Sequence, residues 1–282
     1  MTVVAATIRP MVATDVARAA DVIRRHDFGE REQFLAWAID QPTIRSFVAV
    51  EHDGAIVGTG VASAHGPVGW VGVIFVTPER RGSGLGSRIT RTVVDELERR
   101  GCRSQVLIAS PAGRPIYERL GFAEVERQVR FSADGLDDPG APDPSIRSVA
   151  PTDVEDVLAL DRAATGEDRS PVLRSLLASE ETWVIRDAGD RASGYFLRPP
   201  WRGGAVIAAD PADALRLLDL RRRVTPPGGH AGAGVLASNE AGRTALRAAG
   251  WIEELGSVRM VRGERPAWQP SWIYGQLNGA LG

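Results

Sequence analysis

The apolar positions of this chain follow two periods, one giving way to the other. Residues 45–76, "RSFVAVEHDGAIVGTGVASAHGPVGWVGVIFV", are dense in Val and Ile and are cut by the turn clusters His52-Asp53-Gly54 and Ala64-His65-Gly66-Pro67, which predicts a meander of three strands. From Ser87 the period lengthens. Ile89, Val93 and Leu97 recur every four residues in "SRITRTVVDELERR", one apolar stripe opposite an Arg and acid face, with Gly101 where a helix commonly stops. A short strand around "SQVLIAS", a helix through "GRPIYERLG" and a last strand "FAEVERQVRF" follow. With two helices ahead of the meander, the expected order is helix, helix, three strands, helix, strand, helix, strand.

The pattern then begins again. "IRPMVATDV" (8–16) and "IRSVAPTDV" (146–154) share Ile, Arg, Thr, Asp and Val at one spacing, and "AGRPIYERLGFAEVERQVRF" (112–131) aligns without a gap on "AGRTALRAAGWIEELGSVRM" (241–260). Similarity at a fixed offset at both ends predicts two copies of one fold. Residues 1–133 form the first domain, 134–144 a linker rich in Asp, Pro and Gly, and 145–265 the second domain. The remaining 266–282 is a tail that gathers Trp268, Trp272, Ile273 and Tyr274, which are expected to dock on the body of the chain.

Composition narrows the class. At 282 residues, 43% hydrophobic, 25% charged and net charge −2, the chain reads as an ordinary globular protein of about two domains, and bulk charge suggests neither nucleic acid nor membrane as a partner. All 34 basic residues are arginine, which fits a coding bias as well as any function. "MTVVAATIRPMVATD" is too briefly apolar for a secretory signal, no window approaches the ~18 apolar residues of a membrane span, and Cys102 alone rules out an internal disulfide. A cytoplasmic monomer or homodimer without a metal is the expectation.

The chemistry lies in "VTPERRGSGLGSRIT" (76–90), with glycines at alternate positions between a strand and a helix. Bare backbone lets N–H groups reach an anion and a helix N-terminus adds positive potential, so a phosphorylated ligand is expected. A Walker A G-K-[ST] is missing, and Ser87 stands where the dinucleotide fingerprint needs Gly or Ala. "VTPERRGSGLG" resembles the acyl-CoA loop of the GNAT N-acetyltransferase superfamily, R/Q-x-x-G-x-G/A after Val-x-Pro. "PIYERLGF" (115–122) is similar to that family's Tyr-x-x-x-Gly-Phe. The resemblance covers residues 7–131 and implies an α/β (α+β) class: tandem GNAT folds, each a mixed, mostly antiparallel twisted sheet flanked by helices. It implies acetyl-CoA as acyl donor. The backbone of Arg81, Gly82, Ser83, Gly84, Leu85, Gly86 and Ser87 would hold the diphosphate, and the strand end Ile74, Phe75 and Val76 the pantetheine. A bulge near that strand end would aim an N–H at the thioester carbonyl. Tyr117 would protonate the leaving thiolate, a phenol of pKa near 10 serving a thiol of about 8.5. The base stays unnamed: His65, Glu30 and Glu32 are candidates that read equally as solvated surface groups.

The second copy lacks these parts. "GGAVIAADPADALRLLDLRRR" (203–223) runs through Asp210-Pro211-Ala212 into a helix with no glycine cradle, and Leu246 stands at the position of Tyr117, so this copy is expected to be a GNAT-like shell unable to bind coenzyme A. The arrangement resembles two-domain GNAT proteins of the YitH type, whose Asp-x4-Gly-x2-Arg is matched by Asp161, Gly166 and Arg169. The acid and base could grip an amino-acid-like acceptor or form an ion pair about a glycine turn. Mycothiol synthase, another tandem enzyme of the superfamily, has its competent copy second, the reverse of the order here. The expected function is transfer of an acetyl group from acetyl-CoA to a primary amine of a small-molecule acceptor by direct attack. The alternatives are a non-catalytic acyl-CoA sensor and a protein N-acetyltransferase.

Overall fold

A computed structural model of the chain describes residues 6–136, 140–141, 143–178, 181–201 and 203–282; residues 137–139 and 142 of the expected linker lie outside the described residues. The first copy comprises β1 (Thr7–Pro10), α1 (Ala13–Arg25), α2 (Glu32–Ala38), β2 (Ile44–Val50), β3 (Ile56–His65), β4 (Val68–Val76), α3 (Leu85–Arg99), β5 (Ser104–Ala109), α4 (Arg114–Arg119) and β6 (Ala123–Asp134). The second repeats this series: β7 (Arg147–Ser148), α5 (Val154–Thr165), α6 (Ser170–Leu177), β8 (Glu181–Arg186), β9 (Ala192–Arg198), β10 (Val206–Ala208), α7 (Pro211–Arg223), β11 (His230–Leu236), α8 (Glu240–Ala248) and β12 (Ile252–Gly263). A short β13 (Ile273–Gly275) follows. The expected order holds, with one strand added ahead of the first helix of each copy.

The repeated sequences build repeated devices. Arg9 grips Asp15 through two N–H groups at 2.6 and 2.9 Å while Asp15 accepts the Val12 N–H at 3.0 Å. Arg147 grips Asp153 at 2.6 and 2.8 Å, and Asp153 accepts the Ala150 N–H at 2.7 Å. In each case a buried carboxylate satisfies a donor at a helix N-terminus, where negative charge is favoured. At the closing end Arg114 pairs with Glu124 at 2.9 Å and Arg243 with Glu253 at 2.8 Å.

The described chain falls into two compact units, and their bounds cut across the copies. The first contains the described part of Met1–Glu124 together with Met260–Arg265 and Gly279–Gly282; the second contains Val125–Arg259 and Pro266–Asn278. In the first unit the sheet runs β1-β2-β3-β4-β5, antiparallel except for the parallel β4–β5 pair, and then takes the end of β12. There the Glu264 N–H donates to Arg103 O at 3.0 Å and Ser104 Oγ donates to Glu264 O at 2.6 Å. In the second unit β6 pairs antiparallel with β11, and a separate antiparallel sheet runs β13-β10-β9-β8-β7. Each unit is thus closed by the last strand of the other copy. The cause is burial: Val129, Phe131 and Ala133 of β6 sit in one apolar cluster with Phe196, Val206 and Val235 of the second unit.

Glycines set the distance between α3 and the first sheet. A Cβ at Gly58 or Gly60 would stand 2.7 Å from Ile89, and one at Gly69 would stand 2.7 Å from Leu97. The stripe Ile89, Val93 and Leu97 is accordingly fully buried on the strands. The tail is buried as well, Ile273 and Tyr274 within the second unit and Ala280 and Leu281 within the first.

Candidate active site

Beyond β4 the chain makes a 3-10 turn at Pro78–Arg80, passes Gly82 and Gly84 at φ +77° and +80°, and enters α3 at Leu85. Those two glycines are required by the sign of φ and not by crowding, since a Cβ at either would meet no protein atom within 4 Å. Gly86 differs. A Cβ there would stand 3.5 Å from Ile116 Cδ1, an ordinary contact, so neither space nor backbone demands glycine. The loop is pinned from below: Arg81 Nε donates to Val76 O at 3.3 Å and Ser83 Oγ to Arg80 O at 2.6 Å. No side chain caps α3, and its first backbone bond runs from the Arg88 N–H to Gly84 O. Among the described residues nothing accepts a hydrogen bond from the N–H groups of Gly82, Ser83, Gly84, Leu85, Gly86 or Ser87. Six such donors at a helix N-terminus fit the oxygens of a diphosphate.

The strand feeding this loop is bulged. Thr59 lies opposite Phe75 and Val61 opposite Gly72, so Val73 and Ile74 together face Gly60. Val73 takes φ +48°, which for a β-branched residue stores strain on the order of 1–3 kcal/mol. Thr59 Oγ1 donates to Val73 O at 2.9 Å and holds the turned peptide. The bulge falls just ahead of the strand end Ile74–Val76 to which the resemblance assigns the pantetheine. On its other edge β4 pairs with β5 only over Val68–Trp70, and past Trp70 no strand among the described residues takes that edge.

Tyr117 is on α4, buried, with its ring at an edge-on angle to Phe122 at 6.1 Å and over Gly113, where a Cβ would stand 2.8 Å from it. Its neighbour Ile116 reaches the first turn of α3. Burial pushes the phenol up to about 12. The candidate bases separate. His65 is fully buried on β3, not in a solvated turn, whereas Glu30 and Glu32 are exposed. The structure instead brings His26 against the site strand, its ring 6.0 Å from that of Phe75, and Phe28 stands 5.6 Å from the same ring. The tail supplies a further wall: a Cβ on Gly72 would lie 2.2 Å from Ala280 Cβ, so Ala280 packs on β4 next to the bulge. Neither Thr59, His26 nor Ala280 carries a sequence signal of its own.

Asp161 and Arg169 lie in the second unit and are turned toward one another. Arg169 Nε donates to Asp161 Oδ2 at 3.0 Å, a second guanidinium nitrogen takes Oδ1, and the Tyr195 hydroxyl donates to Oδ1 at 2.5 Å. Both side chains are 1% exposed, and Gly166 between them is left-handed at φ +68°. Burial disfavours the guanidinium, but Asp161 outweighs it and the Arg169 pKa rises. Of the two readings of this segment, the described geometry is that of a buried ion pair about a glycine turn.

Two family models match the chain, the acetyltransferase (GNAT) family over residues 13–122 and an acetyltransferase (GNAT) domain over 157–275. The chain belongs to the GNAT family. It is a two-domain member. Among curated relatives, N-alpha-acetyltransferase 30 of Schizosaccharomyces pombe is 30% identical over 33% of this chain and 66% of its own length. YitH of Bacillus subtilis, described as an uncharacterized N-acetyltransferase, is 27% identical over 61% of this chain and 59% of its own. Mycothiol acetyltransferase of Saccharomonospora viridis is 31% identical over 30% and 32%. The chain spans about a third to two thirds of the length of these relatives. A solved structure from Pyrococcus horikoshii shares the fold with a TM-score of 0.80 at 20% identity, covering 98% of this chain and 95% of that one.

Proposed function

We propose that the first copy transfers an acetyl group from acetyl-CoA to a primary amine of a small molecule. The observation that carries this reading is the row of six unpartnered N–H groups from Gly82 to Ser87, set beside a bulged strand with a free edge. Bound there, acetyl-CoA supplies the activated acetyl thioester. The loop and α3 hold its diphosphate, and the strained peptide at Val73 and Ile74 orients the thioester carbonyl. The amine nitrogen forms the new bond to the carbonyl carbon as the carbon–sulfur bond breaks, and the nitrogen gives up a proton. His26 is a candidate to receive it.

Tyr117 holds its proton throughout the physiological range. Full transfer from a phenol at about 12 to a thiolate whose acid has a pKa near 8.5 is uphill by roughly 5 kcal/mol. Its role is therefore to donate a hydrogen bond to the charge that develops on sulfur. Asp161 and Arg169 hold the second unit together.

The names of the relatives carry two kinds of acceptor, an alpha-amino group and mycothiol. The deciding experiment measures coenzyme A release from acetyl-CoA over a panel of small amines and peptides. Small-amine-dependent release supports the proposal. Release with peptides alone replaces it with protein N-acetylation, and tight acetyl-CoA binding without release by any acceptor replaces it with a sensor.

A further inference from the structure

The second unit is indented by a cavity of about 1010 Å³ far along α7 from its N-terminus, lined by residues 199–201 and 203–204, the end of α7 and the strand β11. Its lining includes Arg130, Arg198 and Arg221 against one acid, Glu181, among the described residues. Arg221 is the unusual member. It is 9% exposed and makes no ion pair among the described residues, its donors going to the carbonyl oxygens of Gly203 and Gly204, the latter at 3.3 Å. Its guanidinium carbon lies 5.3 Å from the centre of the Phe196 ring. Burial, with Arg198 adding to it, lowers its pKa to about 10. A neighbouring pair shows the contrast: Arg198 has Glu181 at 2.8 Å, while the more deeply buried Arg221 has only neutral carbonyls.

Burying a cation without a counter-charge is costly, and carbonyl dipoles and one aromatic face offset that cost only in part. A guanidinium has five N–H groups in a planar fork suited to an oxyanion. The walls beside it, Phe196, Trp201 and the prolines 199 and 200, are apolar or aromatic. We propose that this cavity binds a small molecule with one oxyanion group, a carboxylate or a phosphate, which Arg221 receives with Arg198, and with an apolar body that lies on Phe196 and Trp201. The site is at the opposite end of α7 from the position that corresponds to the coenzyme A loop of the first copy, so it is not a remnant of that loop. It gives the second copy a ligand of its own.

Calorimetry on the full chain tests this, with inorganic phosphate and benzoate as separate probes and coenzyme A present in excess so that the diphosphate loop does not contribute. Binding of either probe at one equivalent per chain, weakened at least about tenfold in Arg221→Met and in Arg198→Met, is the expected result. Phosphate alone would assign a phosphorylated ligand and benzoate alone a carboxylate. Affinity for acetyl-CoA is expected to be unchanged in both variants. Should Arg221→Met not fold, Arg198→Met, whose side chain is 43% exposed, carries the same comparison. The proposal is overturned if neither probe evolves heat up to about 10 mM, or if the folded variants bind as tightly as the unaltered chain.

Discussion

The junctions β4–α3 and β10–α7 occupy the same place in the two copies and treat their backbone in opposite ways. The first leaves six N–H groups without a protein acceptor and passes through two left-handed glycines. At the second, Asp210 caps the helix, accepting the Ala212 N–H at 2.7 Å, and Pro211 removes one donor altogether. The strands differ in the same sense. The edge of β4 beyond Trp70 has no strand partner among the described residues, while β10 has β13 there, with Ile207 opposite Ile273 and Val206 opposite Gly275. A cap and a tail strand thus close, in the second copy, the two features that would receive a diphosphate and a pantetheine. A helix N-terminus is an anion site only where the chain leaves it uncapped.

The largest effect is expected where the second copy has exchanged apolar packing for charge. Counting on from the shared Thr-Asp-Val, Asp161 stands where the first copy has the fully buried Ile23. Asp161→Ala would take from the buried Arg169 the carboxylate it is paired with and cost about 3–5 kcal/mol, read as a fall in the denaturation midpoint. Removing both charges together, as Asp161→Leu with Arg169→Met, should cost much less than the single change. Equal losses would mean that the pair is not the source of the effect.

The next effect falls on the junction itself. Gly84→Val would force a β-branched residue to φ +80°, at roughly 1–2 kcal/mol in backbone strain, and would add a side chain where the loop is now bare backbone. Acetyl-CoA affinity should fall about 100-fold by calorimetry, while Ala212→Val in the second copy should leave it unchanged. Gly86→Ala, where the geometry has room, is the internal control. If Gly84→Val binds normally, the contrast between the junctions says nothing about the cofactor.

Tyr117→Phe comes third. Losing a hydrogen bond to a developing charge should lower kcat by about thirtyfold with little change in acetyl-CoA affinity, and Leu246 already occupies the matching place in the second copy. Because burial holds the phenol at about 12, the alkaline side of the rate profile below roughly pH 10 should be the same in the variant as in the unaltered enzyme. A limb that vanishes on mutation would show that Tyr117 titrates in that range.

What the sequence disclosed and what it hid have physical reasons. Alternating glycines announce left-handed backbone, and the stripe Ile89, Val93 and Leu97 announces a buried helix face, because both are local properties. The bulge at Val73 depends on register against β3, and Thr59 looks like any strand threonine until that register is known. The exchange of closing strands was hidden by the similarity that revealed the repeat: "VERQVRF" and "LGSVRM" are alike enough for either to be assigned to its own copy. The aromatics of the tail mark it for docking, but the pairing of β13 with β10 is set by three residues and a partner far away in sequence. For Asp161 and Arg169 the spacing allowed both a ligand grip and an ion pair, and only burial separates the two.

The smallest effect probes what the copies share. Hydrogen bonds from Arg147 hold the Asp153 carboxyl down at about 2, below its usual value near 4, and Arg9 lowers Asp15 in the same way. A carboxyl with a depressed folded pKa contributes stability that is fully present above the unfolded pKa and is lost as pH falls through the folded one. Asp153→Asn should therefore cost on the order of 1 kcal/mol at neutral pH, and the gap from the unaltered chain should narrow between about pH 4 and pH 2. Asp15→Asn should show the same direction of pH dependence, because the same Arg-to-Asp grip opens both copies. A penalty independent of pH in both variants would assign the device to side-chain shape and not to charge, and would leave the two copies alike for a different reason.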